Sequence, residues 1–200
     1  MQPMGFNQLQ QETQFNTSSL NRLLKTLVEY DYVKKNTEGK YELGVKPFTL
    51  VYGNSAWHSL SYDIHKILEN ISMQFGVTAI FVVYLRAGCL VLDKVICPDN
   101  VAMRSVGDLS ADYLYNPWGF LRLFSMSKES QHEWLDKPCT LEKEQYYAFA
   151  DFIQQNGYAD DQNMLDKNMR RLAVPIYDKN NRLTASIAVG SFVNLLDDEK

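Results

Sequence analysis

Cysteine is scarce: Cys89, Cys97 and Cys139 stand singly among 200 residues, with no C-x-x-C pairing. That excludes a disulfide-stapled scaffold and argues against a zinc site, and it fits the reduced thiols of a cytoplasmic protein. Proline and glycine are sparse, at six and ten, so there is no low-complexity linker and no repeat. No apolar run approaches the roughly 20 residues of a membrane-spanning helix. The first residues, MQPMGFNQLQQ, have neither the charged start nor the apolar stretch of a signal peptide. Catalytic signatures are missing as well. G-x-S-x-G and Gly-rich phosphate loops are absent, and His58, His65 and His132 lie far apart. The Asp160–Asp161 doublet reads as a solvated strand end, and Asp93 and Lys94, adjacent in a strand, face opposite sides. The expectation is a protein without metal or cofactor and without enzymatic activity.

A strong basic excess is missing too. The net charge is −4, unlike a protein that coats nucleic acid. The first fifty residues nevertheless carry six Lys/Arg against five Asp/Glu, and the other 150 carry fourteen against nineteen. A sparse basic patch on an acidic body suits a sequence-selective binder acting as a dimer. The 46% apolar content is enough to fill a core in one or two domains.

The most informative stretch is Asn16–Gly44, NTSSLNRLLKTLVEYDYVKKNTEGKYELG. Leu20, Leu23, Leu24, Leu27 and Val28 recur at the spacing of one helix face. The opposite face carries Thr17, Ser18, Ser19, Asn21, Arg22 and Lys25, with no carboxylate before Glu29. Such a face has two readings: a solvated surface, or a surface for the major groove, where hydroxyls and N–H groups take phosphates and Asn or Arg bonds base edges. The neighbours favour the second. Phe6–Thr13 reads as a preceding helix with Phe6 and Leu9 inward and Phe15 wedged in the turn. Tyr32 and Val33 pair with Tyr41 and Leu43 around Gly39, making a wing that bears Lys34, Lys35 and Lys40. Helix, turn, helix and wing form a winged helix-turn-helix. Five cations on phosphates imply a salt slope of roughly −4 to −5 per monomer.

These residues resemble the DNA-binding module of the IclR family of bacterial transcription regulators. The resemblance rests on Thr17-Ser18-Ser19, Arg22-Leu23-Leu24, Thr26-Leu27-Val28-Glu29, Tyr32-Val33 and Tyr41-Glu42-Leu43-Gly44. Asp31 stands where the family usually has Gly, and Asp tolerates the left-handed conformation that the turn needs.

Beyond Pro47, Phe48–Trp57 reads as a short linker helix and Ser59 or Ser61 as the cap of a longer one ending at Gly76. Leu60, Ile64, Ile67, Leu68, Ile71 and Phe75 form its expected buried stripe. Thr78–Leu85 and Leu90–Ile96 read as a hairpin and Val101–Val106 as a third strand. Pro117–Phe124, Lys128–Leu135 and Leu141–Gln155 read as helices, and Gly157–Asp160, Arg171–Tyr177 and Leu183–Val189 as strands. The expected class is α+β. Its parts are a winged helix-turn-helix over residues 1–46, a linker helix over 47–58 and an effector domain over 59–200.

The second half resembles the family's GAF-like effector-binding domain in Gly76-Val77-Thr78, Val91-Leu92-Asp93-Lys94-Val95, Val106-Gly107, Gly157-Tyr158-Ala159 and Leu172-Ala173-Val174-Pro175-Ile176-Tyr177-Asp178. The resemblance implies a homodimer or tetramer on double-stranded operator DNA, modulated by a small organic-acid or aromatic effector. It carries the ligand contacts to Pro117, Trp118, Asp161, Met169, Arg171, Ala188 and Gly190. Arg171 would fork onto a carboxylate and Trp118 would stack on a ring, so an anionic effector is expected. The alternative is a pocket plugged by Trp118, with Arg171 paired to Asp161 or Asp166. Compared with the family, both ends look short: a helix before Gly5 and a closing helix after the last strand are expected to be missing. That leaves a second functional alternative, a truncated, DNA-incompetent sensing remnant.

Overall fold

The computed structural model describes residues 2–47, 55–137 and 141–195. The chain divides into two compact units, Met1–Tyr62 and Asp63–Lys200. Each is built by a different hydrophobic pattern.

In the first unit, helices α1 (Phe6–Thr13) and α2 (Thr17–Glu29) precede strands β1 (Val33–Lys35) and β2 (Tyr41–Leu43). Helix α2 starts where Asn16 leaves helical geometry and its side chain accepts the Ser19 N–H at 2.9 Å, a standard N-cap. Its apolar stripe is narrower than the sequence implies. Leu20 and Leu24 are buried, whereas Leu23 and Val28 are 41% and 38% exposed. Phe15 is also 45% exposed and does not wedge the two helices. The left-handed Gln14 that closes α1 sets the turn instead. Strands β1 and β2 pair antiparallel, Val33 with Leu43 and Lys35 with Tyr41. Met4 adds a bridge on the other side of Tyr41, with backbone bonds of 2.9 and 2.8 Å. This minimal third strand shields the wing edge, and a single bridging residue carries no periodicity that would predict it.

The two ends of the wing are locked together. Asp31 adopts φ 59°, the conformation anticipated where the family has Gly. Gly44 donates its N–H to the Tyr32 carbonyl at 2.9 Å. A Cβ on Gly44 would lie 2.0 Å from the Asp31 carbonyl oxygen, so only glycine fits there.

Helix α3 (Ser55–Phe75) is continuous through Ser59 and Ser61, so neither residue caps it. The rest of the expected linker helix, residues 48–54, lies outside the described residues. Its buried stripe reduces to Leu68 with Ile64 and Ile71 packed beside it. Within the second unit Ile67 is 46% exposed, since a single sheet face covers little more than one row of a helix; Leu60, in the first unit, is 47% exposed. Gly76, at φ 65°, ends the helix.

The second unit is a six-stranded antiparallel sheet, in the order β5-β4-β3-β8-β7-β6. Its strands are β3 (Thr78–Leu85), β4 (Gly88–Val95), β5 (Leu109–Ser110), β6 (Ala159–Asp160), β7 (Met169–Tyr177) and β8 (Leu183–Phe192). The two-residue alternation of a strand divides the core. Ala79 and Phe81 meet Leu68 of α3. Ile80 and Val82 face the other way, into a cluster with α4 (Pro117–Phe124), α5 (Lys128–Leu135) and α6 (Lys143–Asn156). Phe120 is the centre of that layer, stacked on Phe149 at 4.7 Å and edge-on to Tyr146 at 5.8 Å.

The expected strand Val101–Val106 does not form. The edge of β4 is taken by the next residues: the Val91 N–H reaches the Asp108 carbonyl at 3.0 Å, and Gly107 donates back to Val91 at 2.9 Å. Residues 101–106, displaced from the ladder, form a loop. Among the described residues no helix is long and apolar enough to cross a membrane, and no cluster of metal-binding side chains occurs.

Candidate functional site

Two regions gather the candidate residues. In the first unit, Thr17, Ser18, Asn21, Arg22 and Lys25 are exposed along α2, and Ser19 is half-buried. Thr17 is partly engaged, its hydroxyl accepting the Gln10 amide at 3.0 Å. The hydroxyl of Thr26 bonds back to the Arg22 carbonyl at 3.1 Å. On the wing, Lys34 pairs with Glu42 at 3.1 Å and Lys40 with Glu38 at 2.8 Å. Lys35 lies over the Tyr41 ring at 5.0 Å. The exposed pairs hold those lysines only weakly. The Lys40 hydrogen bond lowers the Glu38 carboxyl below its ordinary value. Behind α2 is an open apolar groove of about 290 Å³, lined by Leu9, Leu20, Leu23, Leu27 and Leu43 among others.

In the second unit, a cavity of about 270 Å³ is lined by residues 101–104, the start of α4 and the start of β7. Of the residues anticipated there, Trp118, Met169 and Arg171 line it. Asp161 is fully buried behind them. It accepts the Arg171 side-chain Nε–H at 2.6 Å and the Arg171 backbone N–H at 2.9 Å. Burial raises the Asp161 carboxyl above its ordinary value, opposed by the Arg171 guanidinium and by backbone N–H donors. Asp166 has no part in this pair, its side chain accepting the Asn168 N–H at 2.9 Å.

Pro117, Ala188 and Gly190 lie outside the lining. Pro117 is buried as the first residue of α4, where its fixed φ suits a helix start. Ala188 is core. Gly190 pairs with Arg171 across β7 and β8. A Cβ on Gly190 would meet Met103 Sδ at 2.8 Å and Arg171 Cγ at 3.3 Å, so its bareness admits the side chains that form the wall. The remaining lining comes from Val101, Ala102, Met103, Arg104, Tyr115 and Asn116. Asn116 caps α4, accepting the Gly119 N–H at 2.6 Å. An Asn immediately before Pro117 was the one sequence signal for it. Trp118 is buried at 3% exposure and forms wall without filling the cavity. Arg171, as the plugged-pocket alternative held, does take Asp161 as its partner.

At the level of sequence, no protein-family model and no curated protein matches the chain. Solved structures do. An IclR homolog from Microbacterium hydrocarbonoxydans, complexed with 4-hydroxybenzoate, superposes with a TM-score of 0.74 at 15% identity, covering 98% of this chain and 85% of its own. An IclR transcriptional regulator from Alicyclobacillus acidocaldarius gives 0.71 at 19% identity, over 96% of this chain and 81% of its own. An IclR-family transcriptional regulator from Brucella abortus gives 0.70 at 17%, over 99% and 78%. With its two units, antiparallel sheet and flanking helices, the chain has the fold of the IclR-family transcriptional regulators.

Proposed function

We propose that this chain is a cytoplasmic, ligand-responsive transcription regulator and not an enzyme. In this reading a homodimer, or a dimer of dimers, binds a pseudo-palindromic operator through α2 and the wing. A small organic acid in the second unit shifts the population between two dimer geometries. The observation that carries the reading is the polar face of α2: exposed Asn21, Arg22 and Lys25 follow a capped helix N-terminus and are flanked by a lysine-bearing wing. Hydroxyls and N–H groups of such a helix suit phosphates, and Asn21 and Arg22 suit base edges. The likeness to solved IclR regulators supports the assignment at the level of fold. The test is a mobility shift on the protein's own promoter region. Asn21→Ala and Arg22→Ala are expected to lose sequence preference, and Lys34→Ala to weaken binding to every sequence alike. Retained preference in both α2 variants refutes the reading.

A second reading is that the first unit no longer engages DNA and the second unit remains a sensor. Under it the folded, dimeric protein has no operator preference at any salt concentration.

A further inference from the structure

The effector cavity carries two arginines, and they face one space. Arg171 spends one of its five N–H donors, the Nε–H, on Asp161. Among the described residues neither Nη group has a partner, and neither is sealed away from solvent, since Arg122 Nε is the buried side-chain nitrogen left without one. Asp161, held also by the Arg171 backbone N–H, therefore fixes the guanidinium through Nε and leaves the donors on Nη1 and Nη2 unspent. Arg104 comes from the displaced loop 101–106. It makes one long bond, Nη2 to Asp112 Oδ2 at 3.3 Å, and its side chain is 36% exposed. Among the described residues no carboxylate lines the cavity; its other walls are apolar at Val101, Met103, Trp118 and Met169 and polar at Tyr115 and Asn116. Each guanidinium has a carboxylate as partner, Asp161 for Arg171 and Asp112 for Arg104, and keeps N–H donors to spare, so a ligand carboxylate would be held by charge-assisted hydrogen bonds to those remaining donors.

We infer that the cavity takes a dicarboxylate with an apolar or planar middle, one carboxylate on the open edge of Arg171 and the other on Arg104. This rests on the effector reading above and adds Arg104 as the residue that sets the ligand's charge class. A monoanion satisfies Arg171 and leaves a neutral group against the donors of Arg104. A charged hydrogen-bonded partner there is worth about 10- to 100-fold in affinity.

Calorimetry on the full chain tests this with two matched pairs: adipate against monomethyl adipate, and terephthalate against monomethyl terephthalate. In the wild type, at least one diacid is expected to bind about tenfold or more tightly than its half-ester. Arg104→Gln should remove the diacid's advantage and bring its affinity down to that of the half-ester. Arg171→Gln should weaken both. Half-ester binding equal to that of the diacid, or a preference that survives Arg104→Gln, overturns the dicarboxylate assignment while the effector reading stands. No heat from any of the four compounds overturns both. The wild-type ratio needs no variant to fold.

Discussion

Asn16→Ala is the substitution that most directly probes how α2 is held in place. The Asn16 side chain accepts the Ser19 N–H at 2.9 Å, satisfying one of the amides that the first helical turn leaves without a partner. Alanine keeps the backbone and removes the acceptor, at a cost of about 1 kcal/mol. In a unit of this size that corresponds to a melting point lower by about 4–8 °C. The assay is thermal unfolding of the full chain followed by far-ultraviolet circular dichroism, reading the transition of the first unit. Asn16→Asp is the decisive partner variant. Its carboxylate keeps the cap and favours the positive end of the helix, so stability should match or exceed the wild type. The same carboxylate would meet DNA phosphate, so affinity should fall by roughly tenfold at low salt, with the loss shrinking as salt screens the charge. Stability and DNA binding thus move apart in Asp and together in Ala. An unchanged melting point in Asn16→Ala, or equal destabilisation by Asp, refutes the capping argument. A stable Asn16→Asp with unaltered DNA affinity removes the α2 N-terminus from the interface.

Gly44→Ala drives a Cβ to 2.0 Å from the Asp31 carbonyl oxygen, and the backbone must shift. A loss of about 1–3 kcal/mol is expected in denaturant unfolding, whereas Asp31→Gly, relieving a positive φ, should gain up to about 1 kcal/mol; a neutral Gly44→Ala contradicts the locked wing. For Asp161 the folded carboxyl is raised above its ordinary value, by burial first. Its contribution to stability is therefore present below the ordinary carboxylate range and is lost as pH rises through the raised value. Asp161→Asn sets an amide N–H against the donors that both Asp161 oxygens now accept, so it should start below the wild type in acid and close the gap as pH climbs toward neutrality, read as the difference in melting point. A wild type that instead gains on the variant with rising pH contradicts the sign.

The legible parts of the fold were those with strong local patterns. Pro117–Phe124 and Lys128–Leu135 fall where the sequence places them, because an Asn or Ser cap and a proline at the first position mark their starts. Strand Thr78–Leu85 was equally plain. What the sequence concealed depended on partners distant in the chain. Residues 101–106 alternate like a strand, yet Gly107 and Asp108 hold the edge they would need. The Met4 bridge involves a single pair of residues and leaves no periodicity to detect. The buried stripe on α3 is narrower than its periodicity implies, because periodicity marks a face but not how much of it a neighbour covers. The candidate cavity was half legible. Trp118, Met169 and Arg171 were anticipated on it, but Met103 and Arg104 reach it only because their loop left the sheet.

The central claim is that the exposed face of α2 and the wing meet duplex DNA. The most direct measurement is the salt dependence of binding, by fluorescence anisotropy, to a promoter fragment and to a scrambled duplex of equal length. The account predicts tighter binding to the promoter fragment, with a slope of log affinity against log salt of about −4 to −5 per monomer, reduced by about one in Lys25→Ala. Equal affinity for the two duplexes, or a slope near zero, contradicts it.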